Sequence, residues 1–340
     1  MNNKMQKEVG DGTDVSRKRV VVIGGGTGTF TVLSGLKKHP FDLTAVVTMA
    51  DDGGSTGRLR DEFGVLPPGD LRQGLVALSE ADMIMRRLFN HRYKSGGLAG
   101  HNFGNIFIST LEQITGSLDA ALDVVGKVLN IKGAVLPVTL SKVTLLTELE
   151  NGTIIDGEDA LGECQDLFTI GVKNISLTPR PRANPKALKA IKSADLIIVG
   201  PGDLYTSLLP NFLVPGIGRA LIQAQGKKVY VANLMNKTGH TDHMTVLDYV
   251  RVLEKTLGKE NVFDAIVYNT KRPPAHLLRK YADEGSPVFC GGDGSQGNAD
   301  LIGVPLLANG VARRVKGDTL RRTLIRHDPD KLATVLSGLL

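Results

Sequence analysis

Three predicted strands in this 340-residue chain lead into glycine-rich turns, the first of them an unbroken apolar run, and no other feature restricts the fold as strongly. Residues 20–23, all Val or Ile, lead into Gly24, Gly25, Gly26, Thr27 and Gly28. Residues 43–48 lead into Asp51, Asp52, Gly53 and Gly54, and residues 195–199 lead into the turn GPGDLYTS at 200–207. Short runs without polar alternation are strands buried on both faces, as in a parallel sheet. After the first turn, 29–37 takes a helical period through Phe30, Leu33 and Leu36. A strand, a glycine turn and a helix N-terminus together offer bare backbone amides to a phosphate. Ligands of open α/β sheets sit at the carboxyl ends of the strands, so the sequence predicts an α/β fold with its site where these turns meet.

The densest chemistry lies in 51–72, DDGGSTGRLRDEFGVLPPGDLR. Asp51 and Asp52 offer anionic ligands, and Gly54, Ser55, Thr56 and Arg58 supply amide, hydroxyl and guanidinium donors suited to phosphate oxygens; Arg72 is a further guanidinium. The same residues also suit a long solvated loop, and Asp70 suits the N-cap of a helix through Leu71, Leu75 and Leu78. The GGGTG turn has Thr29 at the sixth position of the dinucleotide fingerprint, so it differs from that motif as it does from a P-loop.

Farther along, GHNFGN places His101, Asn102 and Asn105 at the start of a helix, where Asn102 could cap or could face a base or sugar. Residues 133–139 and 142–149 read as strands, and Asn151-Gly152 with 153–155 reads as a hairpin return, so about 133–178 is expected to be a β-rich subdomain. The α/β pattern resumes at 195–199 and continues through strands at 228–233 and 263–268, with a helix at 246–257 between them. A helix starting at Asp328 or Asp330 closes the chain. His240, Asp242 and His243 lack a third firm ligand at metal spacing and read as a polar loop.

Composition removes several function classes. Net charge is +6, dispersed apart from clusters at 17–19 and 313–322; Trp is absent and aromatics make up 5%, so no nucleic-acid surface is indicated. Cys164 and Cys290 form no metal or redox spacing, which fits a cytoplasmic location. Residues 1–18 are polar and read as a disordered tail, not a signal peptide, leaving 19–340 as one domain. No apolar run approaches the roughly 18 residues of a membrane span, so membrane insertion is not expected.

The series VVVIGGGTG, ADDGGSTGRLR, PPGDLR, GHNFGN and GPGDLYTS, in this order, resembles the family that joins the gluconeogenesis factors and the 2-phospho-L-lactate transferases, from about residue 19 onward. ADDGGSTGRLRDE, PPGDLR and the closing LIRHDP are more like the gluconeogenesis-factor branch. The resemblance implies a Rossmann-like three-layer α/β/α core with a largely parallel sheet and a β-rich insertion. It implies a nucleotide-diphosphate ligand, of the UDP-N-acetylglucosamine type for this branch, and a role in cell shape and envelope synthesis on gluconeogenic carbon. Gly24 to Gly28 would lie against the nucleotide, and Asp51 would be the metal or phosphate-side acid, with Mg²⁺ as the ion. Asn102 would join the pocket wall, and Arg326 would face the nucleotide sugar. Gly202, Asp203 and Thr206 would supply the wall from the third turn. Asp203 stands where many relatives carry Ser, and a carboxylate beside a diphosphate repels it unless a cation intervenes.

Three functions follow as expectations. A non-catalytic UDP-sugar-binding regulator acting through a protein partner in amino-sugar or cell-wall synthesis is preferred, with a homodimer as the oligomer. A metal-dependent transferase moving a phospho-acyl group to an acceptor hydroxyl is the alternative, with Asp51 and His101 as catalytic candidates. An NAD-dependent dehydrogenase is a third reading, disfavoured by Thr29.

Overall fold

A computed structural model describes residues 17–291, 297–308 and 325–340. Most of the tail expected over 1–18 and the basic cluster at 313–322 lie outside the described residues. Among the described residues ten strands form two sheets: β1 Arg19–Gly24, β2 Asp42–Val47, β3 Ala134–Pro137, β4 Thr144–Leu149, β5 Ile154–Asp156, β6 Val172–Thr178, β7 Leu196–Val199, β8 Lys227–Val231, β9 Ala265–Asn269 and β10 Asp300–Val304. The larger sheet runs β10-β9-β8-β7-β1-β2-β3 and every pairing in it is parallel. The smaller, β5-β4-β6, is antiparallel.

The unbroken apolar runs occupy the middle of the larger sheet for the reason their composition gives. Residues 20–23 of β1 and all of β7 are fully or almost fully buried, which only a strand covered by helices on both faces achieves. The stretch 133–139, read as the start of the β-rich subdomain, instead supplies β3 as the outermost strand beside β2, so the small sheet begins only at Thr144. Alternation explains the difference. β4 is alternately buried and half-buried, as an antiparallel strand with one wet face should be.

Seven helices from the first half matter for the site: α1 Gly26–Leu36, α2 Gly54–Phe63, α3 Gly69–Leu78, α4 Met83–Phe89, α5 Phe103–Thr115, α6 Leu118–Val128 and α7 Glu158–Glu163. Helix α1 packs between α3 and the C-terminal helix Pro329–Ser337. The chain builds β1, β2 and β3 outward in one direction and then returns to place β7 on the other side of β1. Strand order therefore reverses between β1 and β7, and the crevice beyond their carboxyl ends is the position where such sheets bind ligands. Gly28 keeps that crevice tight, because a Cβ there would overlap the Pro201 carbonyl of the turn after β7.

Candidate functional site

The first glycine turn opens α1 without a side chain of its own to cap it. Gly25 is the extended N-cap residue, and the first turn of α1 carries no acid. The missing acceptor comes from another helix: Asp70 Oδ1 accepts the Gly26 N–H at 2.9 Å. The expectation that Asp70 caps its own helix is therefore corrected. Pro68 takes the N-cap position of α3, and because α3 packs beside α1, the Asp70 carboxylate reaches across to the neighbouring helix. Gly25 makes room for it, since a Cβ at this position would meet Asp70 Oδ2.

The second turn divides its labour. Asp51 Oδ1 accepts the Gly53 N–H at 3.1 Å, and Thr56 also bonds the carboxylate. Asp52 instead caps α7, accepting the N–H groups of Glu158 at 3.2 Å and Asp159 at 2.8 Å, with Arg60 Nη2 at 3.9 Å. Ser55 Oγ accepts the Asn102 N–H at 3.1 Å and lies 3.4 Å from His101 Nδ1. Asn102 caps α5 by accepting the Asn105 N–H, and the Asn105 side chain donates to Thr56 Oγ1 at 3.4 Å. Arg72 is 3% exposed and donates to Asn105 Oδ1 at 2.9 Å and Asn90 Oδ1 at 2.7 Å. Read from sequence as a phosphate-holding residue, it is corrected to a buried brace. Its helical position on α3 turns it toward α5, a direction that residue type alone does not give. Arg58 is exposed and donates to the Ala99 carbonyl at 3.2 Å, while Gly54 has φ +47° and open space around it.

The third turn faces the first across a cleft of about 720 Å³. Gly25, Gly26, Thr27 and Gly28 line one side; Gly202, Asp203 and Ser207 line the other, joined by Asn233, Lys237 and Tyr249. A recess of about 160 Å³ shares Thr27, Gly28, Gly202, Asp203 and Asn233 with the cleft and adds Arg326 and His327. Asn233 fixes the third turn by accepting the Gly202 N–H at 3.1 Å and donating to its carbonyl at 2.8 Å. Asp203 caps the π-helical turn Leu204–Leu208, accepting the Tyr205 and Thr206 N–H groups at 3.1 Å each. Lys237 Nζ lies 3.8 Å from its carboxylate, so the repulsion expected of an acid beside a diphosphate is offset by a lysine instead of requiring an ion.

Of the site residues expected from sequence, Gly25, Gly26, Thr27, Gly28, Gly202, Asp203 and Arg326 line the two cavities. Ser55, His101, Asn102, Asn105 and Arg72 form a separate buried network beside Asp51 and Thr56. Gly24 ends β1 and is buried, and Thr206 is buried with its side chain bonded to Glu158. Glu158 is the group that sequence reading missed. Burial raises its pKa to about 9, helped by Asp51, while Asp70 and Asp203 add smaller repulsions. Burial likewise raises Asp70 to about 7, with Asp51 adding to the rise, and pushes Asp51 upward. His101 is shifted down, first by burial and then by Arg58. Nothing in the wording around Glu158 announces it, because α7 is brought to the sheet edge by the insertion. Asn233 and Lys237 could have been found as polar residues just beyond a buried strand.

Asp51, Asp70 and Glu158, each raised first by burial and the latter two also by Asp51, form an oxygen-rich cluster beside the glycine turns. Among the described residues no group of three or more His, Cys, Asp or Glu side chains is arranged to hold a metal ion, which includes His240, Asp242 and His243. Mg²⁺ is commonly held by one or two carboxylates with substrate phosphates and water completing its shell. Asp51 and Asp70 suit that shared mode by the chemistry of their oxygens.

Parallel strands reversing at β1 and β7, with glycine turns facing a polar cleft, define an open α/β class whose ligand crevice lies beyond the carboxyl ends of its strands. The chain belongs to the CofD family, whose profile, described as 2-phospho-L-lactate transferase CofD, matches residues 20–297. It is 39% identical over 327 residues to the gluconeogenesis factor of Bacillus subtilis, covering 95% of this chain and 98% of that one. It is 42% identical over 273 residues to the gluconeogenesis factor of Halalkalibacterium halodurans, covering 79% and 83%. A crystal structure of a UPF0052 family member from Bacillus halodurans superposes with a TM-score of 0.85 at 37% identity, covering 94% of this chain and 99% of that one. The expected α/β architecture and the family resemblance thus hold. Among the described residues no helix is long and apolar enough to cross a membrane.

Proposed function

We propose that the chain is a nucleotide-diphosphate-sugar-binding regulator of the gluconeogenesis-factor type, with a UDP-N-acetylglucosamine-like ligand. It would act in the cytoplasm on cell shape and envelope precursor supply during gluconeogenic growth. The carrying observation is the cleft of about 720 Å³ at the strand reversal, where the α1 N-terminus faces the Gly202–Asp203 turn and Lys237. The first four amides of a helix lack internal partners and favour an anion; in α1 Asp70 takes the Gly26 amide, leaving the others of the first turn for a ligand. The cleft is large enough for a sugar beyond the diphosphate, since ligand pockets of about 300–1,000 Å³ hold molecules of that size. A partner protein in amino-sugar or cell-wall synthesis and a homodimeric state belong to the same proposal.

Calorimetric titration with UDP-N-acetylglucosamine, followed by chromatography of the recovered ligand, tests it. Saturable binding, a raised melting temperature and intact ligand are expected. Stoichiometric or catalytic breakdown of the ligand would sink the regulator reading.

One observation favours a second reading, a metal-dependent transferase. Asp51, Asp70 and Glu158 gather beside the phosphate-binding turn, and a cation bridging diphosphate oxygens would supply charge neutralisation for group transfer. In that reading Asp51 and Asp70 would hold the ion and the α1 amides would orient the diphosphate. His101 carries less of the general-base role first considered for it, because it is buried against Ser55. Mg²⁺-dependent consumption of a nucleotide-diphosphate donor with an acceptor alcohol is the outcome that would favour it.

A further inference from the structure

Helix α4 presents its apolar face outward. By helical spacing residues 83, 84, 87 and 88 share one side, and 85 and 89 the opposite one. On the inner side Phe89 is buried, edge-on to Phe103 and Phe107 of α5 with ring centroids 6.0 and 5.3 Å away, and Met85 packs on the core. The outer side carries Met83, 67% exposed, Ile84, 66%, and Leu88, 38%, together with the exposed Arg87. Leu98, in the loop that follows, is 47% exposed. Apolar side chains exposed singly need no explanation, but several on one short helix mark a contact surface.

Charge decides what covers it. From Met83 to Leu111 the sequence holds four Lys or Arg residues, Arg86, Arg87, Arg92 and Lys94, and no acid. Arg86, Arg87, His91 and Lys94 are exposed, whereas Arg92 folds back to donate to the Gly100 carbonyl at 2.7 Å. Asp82 stands at the start of the helix and is used as its N-cap, accepting the Met85 N–H at 2.8 Å. A second copy of the chain fits poorly, because a twofold interface would set this cationic patch against itself. A nucleic acid also fits poorly, since the exposed large side chains of α4 are aliphatic and offer no ring for a base to stack on. An anionic bilayer meets both requirements: its headgroups attract the cations, and its acyl boundary takes the aliphatic side chains. We propose that α4 and the loop after it dock the chain on an anionic lipid leaflet. Met83, Ile84 and Leu88 enter the interface, and Arg86, Arg87 and Lys94 meet the headgroups. The helix lies in the plane of the surface and does not cross it, and the docking is independent of what the cleft binds.

Flotation of the full chain with vesicles of phosphatidylcholine alone, and of phosphatidylcholine with an equal share of phosphatidylglycerol, tests the proposal. Binding to the anionic vesicles is expected to exceed binding to the neutral ones by about tenfold and to weaken as salt is raised. Arg86→Gln with Arg87→Gln should lower it by about tenfold, and Met83→Ser with Ile84→Ser by a similar factor. These positions are exposed, so both paired variants should keep the melting temperature of the unmodified chain, which separates lost docking from lost folding. The chain contains no Trp, so Ile84→Trp supplies a single indole whose emission should shift to the blue on anionic vesicles and be quenched by brominated acyl chains. Equal binding to the two lipid mixtures, or binding to neither, overturns the proposal. So does unchanged vesicle binding by the serine variant or an indole that stays in water, since either leaves only adsorption of charge. Capture by polyglutamate in place of vesicles, lost in the serine variant, would assign the face to an acidic protein. A light-scattering mass that halves in the serine variant would assign it to a second copy, and either result overturns the lipid assignment.

Discussion

Asp70 shows how one side chain can be misjudged by type and placed by packing. An acid two residues after Pro68 looks like a helix cap, yet its oxygen caps α1 instead of α3. Burial and the nearby Asp51, opposed by Arg72 and the Gly26 amide, raise it to about 7 from an ordinary 3.8. An acid whose folded pKa is raised contributes stability that is complete below its unfolded value and is lost as pH climbs through the folded one. Between about pH 4 and 7 the ligand-free protein should therefore lose stability through Asp70, and Glu158 extends the loss toward about 9. Melting temperature measured across that window should fall with rising pH, and Asp70→Asn should flatten the lower part of the slope. Gly28→Ala presses a methyl on the Pro201 carbonyl and should destabilise by about 1–3 kcal/mol in chemical denaturation, with a matching loss of nucleotide affinity.

Among the elements, α2, α3 and α5 are locked by side chains that sequence alone assigned to a ligand. Arg72→Ala would leave the carbonyl oxygens of Asn105 and Asn90 without their charged donor. A loss of about 1–3 kcal/mol of stability for each orphaned acceptor is expected, seen as an earlier urea midpoint, because buried amide oxygens are left without a donor. Asp52→Ala uncaps α7 and should cost about 1 kcal/mol by the same measurement. Strands and glycine turns were legible because burial on two faces writes itself as an unbroken apolar run, and 20–23 and 196–199 are such runs. The roles of Asp52, Asp70 and Arg72 were not, because each reaches a different element. Residue type records that a side chain can hydrogen-bond, and only tertiary packing decides to what. Glu158 was missed for the same reason, its significance coming from Asp51, Thr206 and Asp203, all distant in sequence.

For the whole molecule, hydrogen exchange should report the position of the ligand. Adding UDP-N-acetylglucosamine should slow exchange across 25–28 and 201–207 while leaving the outer strand β5 of the small sheet unchanged; uniform protection or none would contradict binding at the strand reversal. The reversal between β1 and β7 carries one more implication. One flank of the larger sheet comes from 19–137 and the other from 196–304, and among the described residues their only strand-to-strand junction is the β1–β7 pairing. A molecule lying over the ends of both strands acts as a staple between two stretches of chain separated by the whole insertion. Occupancy would then be felt as resistance to parting the two flanks, so that a small metabolite sets the mechanical unity of the sheet as well as the order of its loops.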